Sequence, residues 1–430
     1  MSLQVPGQES FINILKTSSL ALGIVLASLG AQSAEVDPLA NPPSPAFPGQ
    51  TNAPAPAISS SYKVEVLASG LDRPRALVAL PDGKLLVADG KGEVRVVGPE
   101  GGMSDPIPGM PPVRSVGGRG LMDISPAADF EQSRLVYMAF PAPPAGQRGG
   151  PVSADFRAQV QARGEVFQID KIARARLKDD NSGFENVEYI ADLPARRLVH
   201  SPDGKLYLST MGFGIAFANA DQEVQKLDSV IGKMLRINDD GSIPQDNPYY
   251  GRESARGEIW SWGHRDPDGA MIHPQTGELW TIEHGPMGGD ELNRILPGKN
   301  YGWPYVSYGK NYDGTEVGPS QRTGVEQPLY YFFPSRALSG LMMYTGDLFP
   351  AWQGDIFIGT MSPTQGKFLV RLEMDGTKVL EEEHLLVDRH RRVRDVVQGA
   401  DGALYVLTDS EDNDDLNRHF PGEVLRLTPR

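Results

Sequence analysis

Two arginines one residue apart, Arg392 and Arg394 in the run RRVRD, and a third, Arg265, set between His264 and Asp266, are the side chains here best suited to holding an anion. Alternate residues of a strand share a face, so Arg392 and Arg394 point the same way if RRVRD is extended. Such a pair can recognise carboxylates through fixed guanidinium forks, or simply cover a solvated strand face, as most charged residues do. After Arg265 come a Gly285-Pro286 turn and an acidic pair, Asp290 and Glu291, which on its own is also compatible with a plain loop. His264 and His284 sit beside glycines among turns, where imidazoles commonly serve as structural hydrogen-bonding groups. The five Trp read as packing residues.

Those residues need a scaffold, and the sequence repeats one. The stretch Ile259 to Pro304 holds two strand-like runs and most of the polar candidates. A turn centred on Asp-Gly or Thr-Gly, followed by a short apolar or alternating run, recurs in LPDGKLLVAD (Leu80 to Asp89), SPDGKLYLST (Ser201 to Thr210), HPQTGELWTIE (His273 to Glu283) and GADGALYVLTD (Gly399 to Asp409). Each reads as a turn and a strand with its apolar face at every second residue. Partner strands are VRVVG, KMLRIN (Lys233 to Asn238), LVRLEMDG (Leu369 to Gly376) and EVLRLTP (Glu423 to Pro429). A strand-turn-strand unit returning at irregular intervals predicts an all-β β-propeller with loop insertions, a β-sandwich array being the alternative. The Pro-, Gly- and Arg-rich segment 141–163 is one such insertion, helical around 154–163. One propeller domain is expected over residues 62–430, and no second.

Composition agrees with many turns, since the 430 residues include 48 Gly and 36 Pro. A formal charge of −14 excludes the basic stripe of a nucleic-acid binder, yet leaves room for a local arginine cluster around a small anion. With 0 Cys there are no disulfides, thiolate nucleophiles or lipoprotein anchor. Lys16 precedes the apolar run Ser18 to Leu29, and small residues follow at Ala31, Ser33 and Ala34. Residues 1–34 therefore read as a secretory signal peptide, predicting a periplasmic or secreted protein with no stable membrane insertion after cleavage. An uncleaved anchor is the alternative, although the run is short for a span. Residues 35–61, rich in Pro, Ala and Ser, are expected to be a disordered linker.

From Ser69 onward the chain resembles the soluble PQQ-dependent aldose (glucose/sorbosone) dehydrogenases. The likeness is carried by GLDRPRALVALPDGKLLVAD, GRGLMDISPAADFEQSRLVYMAF, LDSVIGKMLRINDDGSIPQDNP, GDLFPAWQGDIFIGT, RRVRDVVQGADGALYVLTD and, most specifically, GHR-x-P-x-G followed by EHGP-x-GGDE and NYGWP. The resemblance implies a six-bladed propeller that oxidises an aldose at its anomeric carbon to the lactone, with PQQ and Ca²⁺ as cofactors and an external electron acceptor. It places Arg265, Asp266, Arg392 and Arg394 on the cofactor. It places the Gly285 and Pro286 carbonyls on the catalytic Ca²⁺, and Glu291 and Tyr301 at a second Ca²⁺.

The resemblance fails at the chemistry. Where the family has its proton-abstracting His, DLPARRLVHSPDG has Leu193, which cannot accept a proton. Asp192, beside it, and His200, within the next strand, are the nearest substitutes. Asp266 replaces a family Asn and brings a carboxylate toward an anionic cofactor. Gly118 replaces a family Gln and Ser362 a family Lys, with Lys367 close enough in sequence to reach back, while Arg119 adds a charge. Two further readings stay open on these departures: a non-catalytic propeller that binds a sugar, a quinone or a partner, and Ca²⁺-assisted lactone hydrolysis with Asp192 or Asp266 as base.

Overall fold

The recurring Asp-Gly and Thr-Gly units do fold as tight turns: Gly83, Gly204, Gly277 and Gly402 have φ of +80°, +74°, +71° and +78°, a conformation that glycine adopts without steric penalty. The computed structural model describes residues 42–116, 120–153, 155, 169–213, 220–410 and 420–430. The expected signal peptide, the expected helix over 154–163, Gly118 and Arg119 lie outside them, apart from the single residue 155.

The chain enters as β1 (Tyr62–Leu71) and then lays down its first blade, β2 (Pro74–Ala79), β3 (Leu85–Asp89) and β4 (Val94–Val97). After β5 (Arg114–Val116), the second blade is β6 (Asp123–Pro126), β7 (Leu135–Ala142), β9 (Ile169–Leu177) and β10 (Phe184–Ala191); β8 (Gly150–Val152) pairs parallel with β5. Of this pair, β8 lies within the segment expected to be an irregular insertion. The third blade is β11 (Leu198–His200), β12 (Lys205–Ser209), β13 (Lys233–Asn238) and β14 (Ile259–Trp262). The fourth is β15 (Pro267–Ile272), β16 (Leu279–Glu283), β17 (Asp290–Ile295) and β18 (Tyr330–Phe332). The fifth is β19 (Leu338–Met343), β20 (Ile356–Thr360), β21 (Leu369–Asp375) and β22 (Lys378–Leu385). The sixth is β23 (Val393–Gln398), β24 (Leu404–Thr408) and β25 (Gly422–Pro429), completed on its outer edge by β1.

The inner strands β2, β6, β11, β15, β19 and β23 neighbour one another in that order, and β23 returns to β2. Six antiparallel sheets around one axis make a six-bladed β-propeller. The ring closes by pairing β1 with β25, Tyr62 opposite Pro429 and Val66 opposite Leu425, so no blade is left with an open edge at the seam.

Blade strands are buried on both faces, not on alternate residues. Ala76 and Val78 of β2 pack toward the second blade, while Leu77 packs with Tyr405 and Leu407 toward the sixth. All five residues of β3, β16, β20 and β24 are buried. The expected apolar-polar alternation fails because each sheet is sandwiched between two others, which makes its strands read as continuous apolar runs.

The Pro- and Ala-rich segment also differs from expectation. Residues 42–61 are held against the fourth and fifth blades rather than free as a tether. Gln50 is fully buried; its Nε2 donates to the Pro328 carbonyl (2.8 Å), and its carbonyl accepts from Tyr331 N (2.8 Å). Ser60 N and Oγ both donate to Glu383 (2.6 Å each). Composition favoured disorder, but a few polar anchors hold this irregular Pro-rich segment in place.

Candidate functional site

Inner strands of a propeller run in one direction, so the residues that open them meet at one end of the central channel. Five of the six inner strands bring charge there. Arg197, just before β11, is buried and spans three other blades. Its Nε donates to the Asp268 carbonyl (2.7 Å), and its terminal nitrogens reach Asp123 (3.4 Å), Asp395 (3.2 Å) and the Arg394 carbonyl (3.4 Å). Burial works against its charge, but Asp395 and Asp123 outweigh that and push its pKa up. For Asp123 burial wins over Arg197, and its carboxyl is raised to about 7.

Above this hub lies a second layer. Arg196 stands between two carboxylates, 3.3 Å from Asp266 and 3.0 Å from Asp268. Arg394 binds Asp409 (3.0 Å) and approaches Asp268 (3.8 Å). Burial alone would raise Asp268, but Arg196, then His284 and Arg394, hold its carboxyl well below the usual range. Arg75, at the start of β2, feels Arg394 and Arg196 on top of its burial, and its pKa falls to about 9.

His284 joins this layer to Arg265. Its Nδ1 lies 3.5 Å from Asp266 and its Nε2 bonds the Leu338 carbonyl (2.6 Å), while the His284 carbonyl accepts from Arg265 (3.0 Å). Arg265 is buried, with its guanidinium 4.4 Å from the Phe213 ring and 5.2 Å from the Trp303 ring. Trp303 thus packs against Val224 and Ile231 and also presents its ring to Arg265. Asp266 and Arg394 thus form one contiguous ionic chain with Arg196, Asp268 and His284, and Arg265 is tied to it through the His284 carbonyl. Arg392 lies half-buried just before β23, its carbonyl accepting from Asp409 N (3.0 Å).

The substitutes for the missing base do not converge here. Leu193 is in the core between the second and third blades with Tyr137, Leu198 and Leu206. Asp192 is exposed and paired with Lys171. His200 closes β11 at the end away from the mouth, stacks on Tyr137 (4.9 Å) and accepts from Ala128 N (3.0 Å), with burial lowering its pKa. Neither Asp192 nor His200 can be the base, because neither reaches the site. Replacing Leu193 by His is accordingly expected to leave turnover no higher than wild type and to cost about 1–3 kcal/mol, since it buries a polar ring without partners; urea denaturation and turnover of the variant check both. Ser362 Oγ accepts from Gln365 N (3.2 Å), a turn contact.

The expected metal positions Gly285 and Pro286 lie on a turn that Asp290 fixes. Gly285 N donates to Asp290 Oδ1 (2.9 Å), and Asp290 Oδ2 accepts from Arg336 N and Ala337 N (2.7 Å each), so this aspartate is a structural staple. A Cβ on Gly285 would lie 2.1 Å from the Gly288 carbonyl oxygen, which is why only glycine turns there. Among the described residues no hydrogen bond ends on the Gly285 or Pro286 carbonyls, leaving both able to ligate a cation. Tyr301 is different. Its hydroxyl accepts from Leu296 N (2.9 Å) and donates to Arg294 O (2.5 Å), and its ring stacks on His264 (4.6 Å). Only its main-chain carbonyl is available to a metal.

Glu291 opens with Tyr301, Glu283 and Ser307 onto a cavity of about 20 Å³, room for one ion or water. Asn293 Nδ2 donates to both Glu291 and Glu283 (3.0 Å each). Burial, and then the Glu283 charge, raise Glu291 to about 8. Glu283 also binds His264 (3.0 Å) and Arg265 N (2.7 Å), so His264, fully buried, is structural. Among the described residues no three His, Asp or Glu side chains form a metal cluster, so a cation here would rely on carbonyls beside Glu291.

Sequence reasoning missed Arg75, Arg196, Asp268 and His284 as one site. The signal existed. Arg75, Arg196 and Arg394 each lie 8 residues before the glycine of a Pro-Asp-Gly or Ala-Asp-Gly turn (Gly83, Gly204 and Gly402), and equal phase in a propeller repeat means the same face.

Buried polar atoms without partners show what this mouth can take. Arg265 Nε and Arg394 Nε are buried donors with no acceptor, and Asp266 Oδ1 and Asp268 Oδ2 accept no aligned hydrogen bond despite their ion pairs. The first pair suits ligand carboxylates, the second suits hydroxyls. Arg196 offsets the Asp266 charge, so a tricarboxylate quinone fits the residues present.

Comparison with known proteins gives a consistent neighbourhood. The family model "Glucose / Sorbosone dehydrogenase" matches residues 71–418. The aldose sugar dehydrogenase YliI of Escherichia coli is 37% identical over 383 residues, covering 87% of this chain and 95% of that protein. Quinoprotein glucose dehydrogenase B of Acinetobacter calcoaceticus is 26% identical over 437 residues, covering 84% and 88%. Among solved structures, the soluble aldose sugar dehydrogenase of Escherichia coli in its apo form superposes with a TM-score of 0.73 at 35% identity, covering 86% of this chain and 100% of that one.

Proposed function

Since this chain belongs to the glucose/sorbosone dehydrogenase family, we propose that it oxidises an aldose at the anomeric carbon to the lactone, using PQQ and Ca²⁺ and passing electrons to an external acceptor. The observation that carries this reading is the mouth itself, where buried donors on Arg265 and Arg394 without an acceptor stand beside the Asp266 and Asp268 carboxylates that Arg196 holds. PQQ, when bound, supplies a quinone that accepts the hydride of the anomeric carbon. Arg265, Arg394 and Arg392 would hold its carboxylates, and the Gly285 and Pro286 carbonyls the cation. Asp266 takes the anomeric hydroxyl proton on Oδ1, with Arg196 and His284 keeping the carboxylate oriented. Arg196 thus does two things: it cancels charge repulsion toward the cofactor and fixes the base. The N-terminal run ending at Ala34 supports a periplasmic or secreted location, and among the described residues no helix is long and apolar enough to cross a membrane.

The test is to titrate the purified protein with PQQ in Ca²⁺, following binding by absorbance, and then to assay dye reduction with a panel of aldoses. Binding with turnover supports the proposal. Binding without turnover on any sugar selects the non-catalytic propeller, which the burial of Leu193 favours, and failure to bind PQQ removes both quinone readings.

A second Ca²⁺ would occupy the Glu291 cavity. In the metal-free protein Glu291 keeps its proton up to about 8 against 4.5 for the free group. The folded state therefore binds more protons between those values, and its stability falls as pH rises from about 4.5 to about 8. Ca²⁺ should reverse that loss, adding about 2.7 kcal/mol at a hundredfold excess over Kd, and Glu291→Gln should abolish the response. Thermal denaturation with Ca²⁺ or chelator at pH 5 and pH 8 measures it.

A further inference from the structure

A cavity of about 430 Å³, within the range of small-ligand sites, lies away from the mouth, between the outermost strands of the fourth and fifth blades, β18 and β22, under residues 51–59. None of its lining residues belongs to the ionic chain at the mouth.

Its walls are held from both sides. Tyr330 Oη accepts from Ala53 N (2.9 Å) and donates to Glu382 (2.6 Å), while Glu382 N donates to the Pro54 carbonyl (3.0 Å). The docked N-terminal segment therefore forms a fixed roof, and the cavity exists before any ligand arrives. On the fifth-blade side, His384 Nε2 bonds Glu382 (2.7 Å) and its ring stacks on Phe368 (4.1 Å). The Arg336 guanidinium also lies 5.7 Å from the centre of that Phe368 ring and donates to the Gln365 carbonyl (2.6 Å). Arg336 Nε remains a buried donor with no acceptor, and the buried Thr51 hydroxyl stands beside the Tyr331 hydroxyl.

The charges cancel. Arg336 faces Glu382, and Glu383 is bound by Arg371, so the space favours neither a strong anion nor a cation. What it offers is a guanidinium N–H, a hydroxyl, a carboxylate and an imidazole, set around the apolar surfaces of Phe333 and Pro56. Donors and acceptors alternating around an apolar wall match a ring whose edge carries hydroxyls and whose face carries C–H groups. We propose that this cavity is a second saccharide site, taking a neutral sugar of one or two rings on the flank of the propeller, separate from the central mouth.

The test uses the full mature chain loaded with PQQ and Ca²⁺. Calorimetric titration with glucose, xylose and maltose is run on wild type, Arg336→Ala and Ala55→Trp, the last placing a bulky ring on the exposed roof. Crystals are soaked in the same sugars. The expected result is sugar density in the flank cavity and binding weakened at least tenfold in both variants. Their melting temperature and their dye-reduction rate at saturating sugar should equal wild type, and Asp266→Asn should keep the flank binding. Unchanged titrations in both variants, or binding of sugar acids such as glucuronate but of no neutral sugar, would overturn the proposal. Because turnover at the mouth is read separately, loss of the flank site and failure of the dehydrogenase reading are told apart.

Discussion

Arg197→Met should lose about 3–5 kcal/mol of stability, the most damaging single change in the charged layer. The guanidinium links the third blade to the second, fourth and sixth through Asp123, the Asp268 carbonyl and Asp395. Removing one partner of a buried ion cluster leaves the others charged and desolvated, which costs more than the cluster contributes when intact. The loss carries a pH signature. Asp123 is raised to about 7 from 3.8 even with Arg197 beside it, so the proton it holds when folded favours the native state below about 4, and that contribution is lost as pH rises through about 7. Without Arg197 its carboxyl rises further. The deficit of the variant should therefore be largest at pH 8 and smallest near pH 5, where Asp123 is protonated. Urea titrations at the two pH values measure it, and an equal deficit at both would mean that lost packing, not unpaired charge, is responsible. Adding Asp123→Asn and Asp395→Asn should recover much of the loss by removing the stranded charges.

Asp266→Asn should lower kcat by about 10²–10⁴, the usual contribution of a general base, while leaving PQQ affinity unchanged or improved. An amide keeps the shape and removes both the proton acceptor and the negative charge near the cofactor. Asp268→Asn should affect binding of sugar more than kcat, since its charge is held by Arg196 and Arg394. Stopped-flow reduction of the bound quinone separates the two effects. If Asp266→Asn reduces quinone at the wild-type rate, the proton goes elsewhere and the assignment of Asp266 is wrong.

Much of the fold was legible because propellers repeat. The Asp-Gly turns, the apolar runs behind them and the EVLRLTP terminus each appear as expected, and the turn glycines have the conformation their position requires. Two local rules misled. Strict alternation was expected along the strands, yet both faces of each sheet are covered, so β20 reads IFIGT with no exposed side. Pro and Ala in residues 42–61 suggested a free tether, but Gln50 alone makes side-chain and backbone bonds that pin it.

For the site, residue type was informative and partnership was not. Arg265, Asp266, Arg392, Arg394 and the Gly285-Pro286 turn could be picked out by their types and motifs, and family and fold follow from such patterns because they reflect backbone geometry repeated along the chain. That Leu193 faces the core, that Asp192 and His200 point elsewhere, and that Arg196 comes between Asp266 and Asp268 depended on the ring closing. Residues from five blades, hundreds of positions apart, reach one channel only when the first strand pairs with the last. Charge balance at that channel is a property of the assembled ring, because a carboxylate's worth is set by which guanidinium ends up beside it out of water.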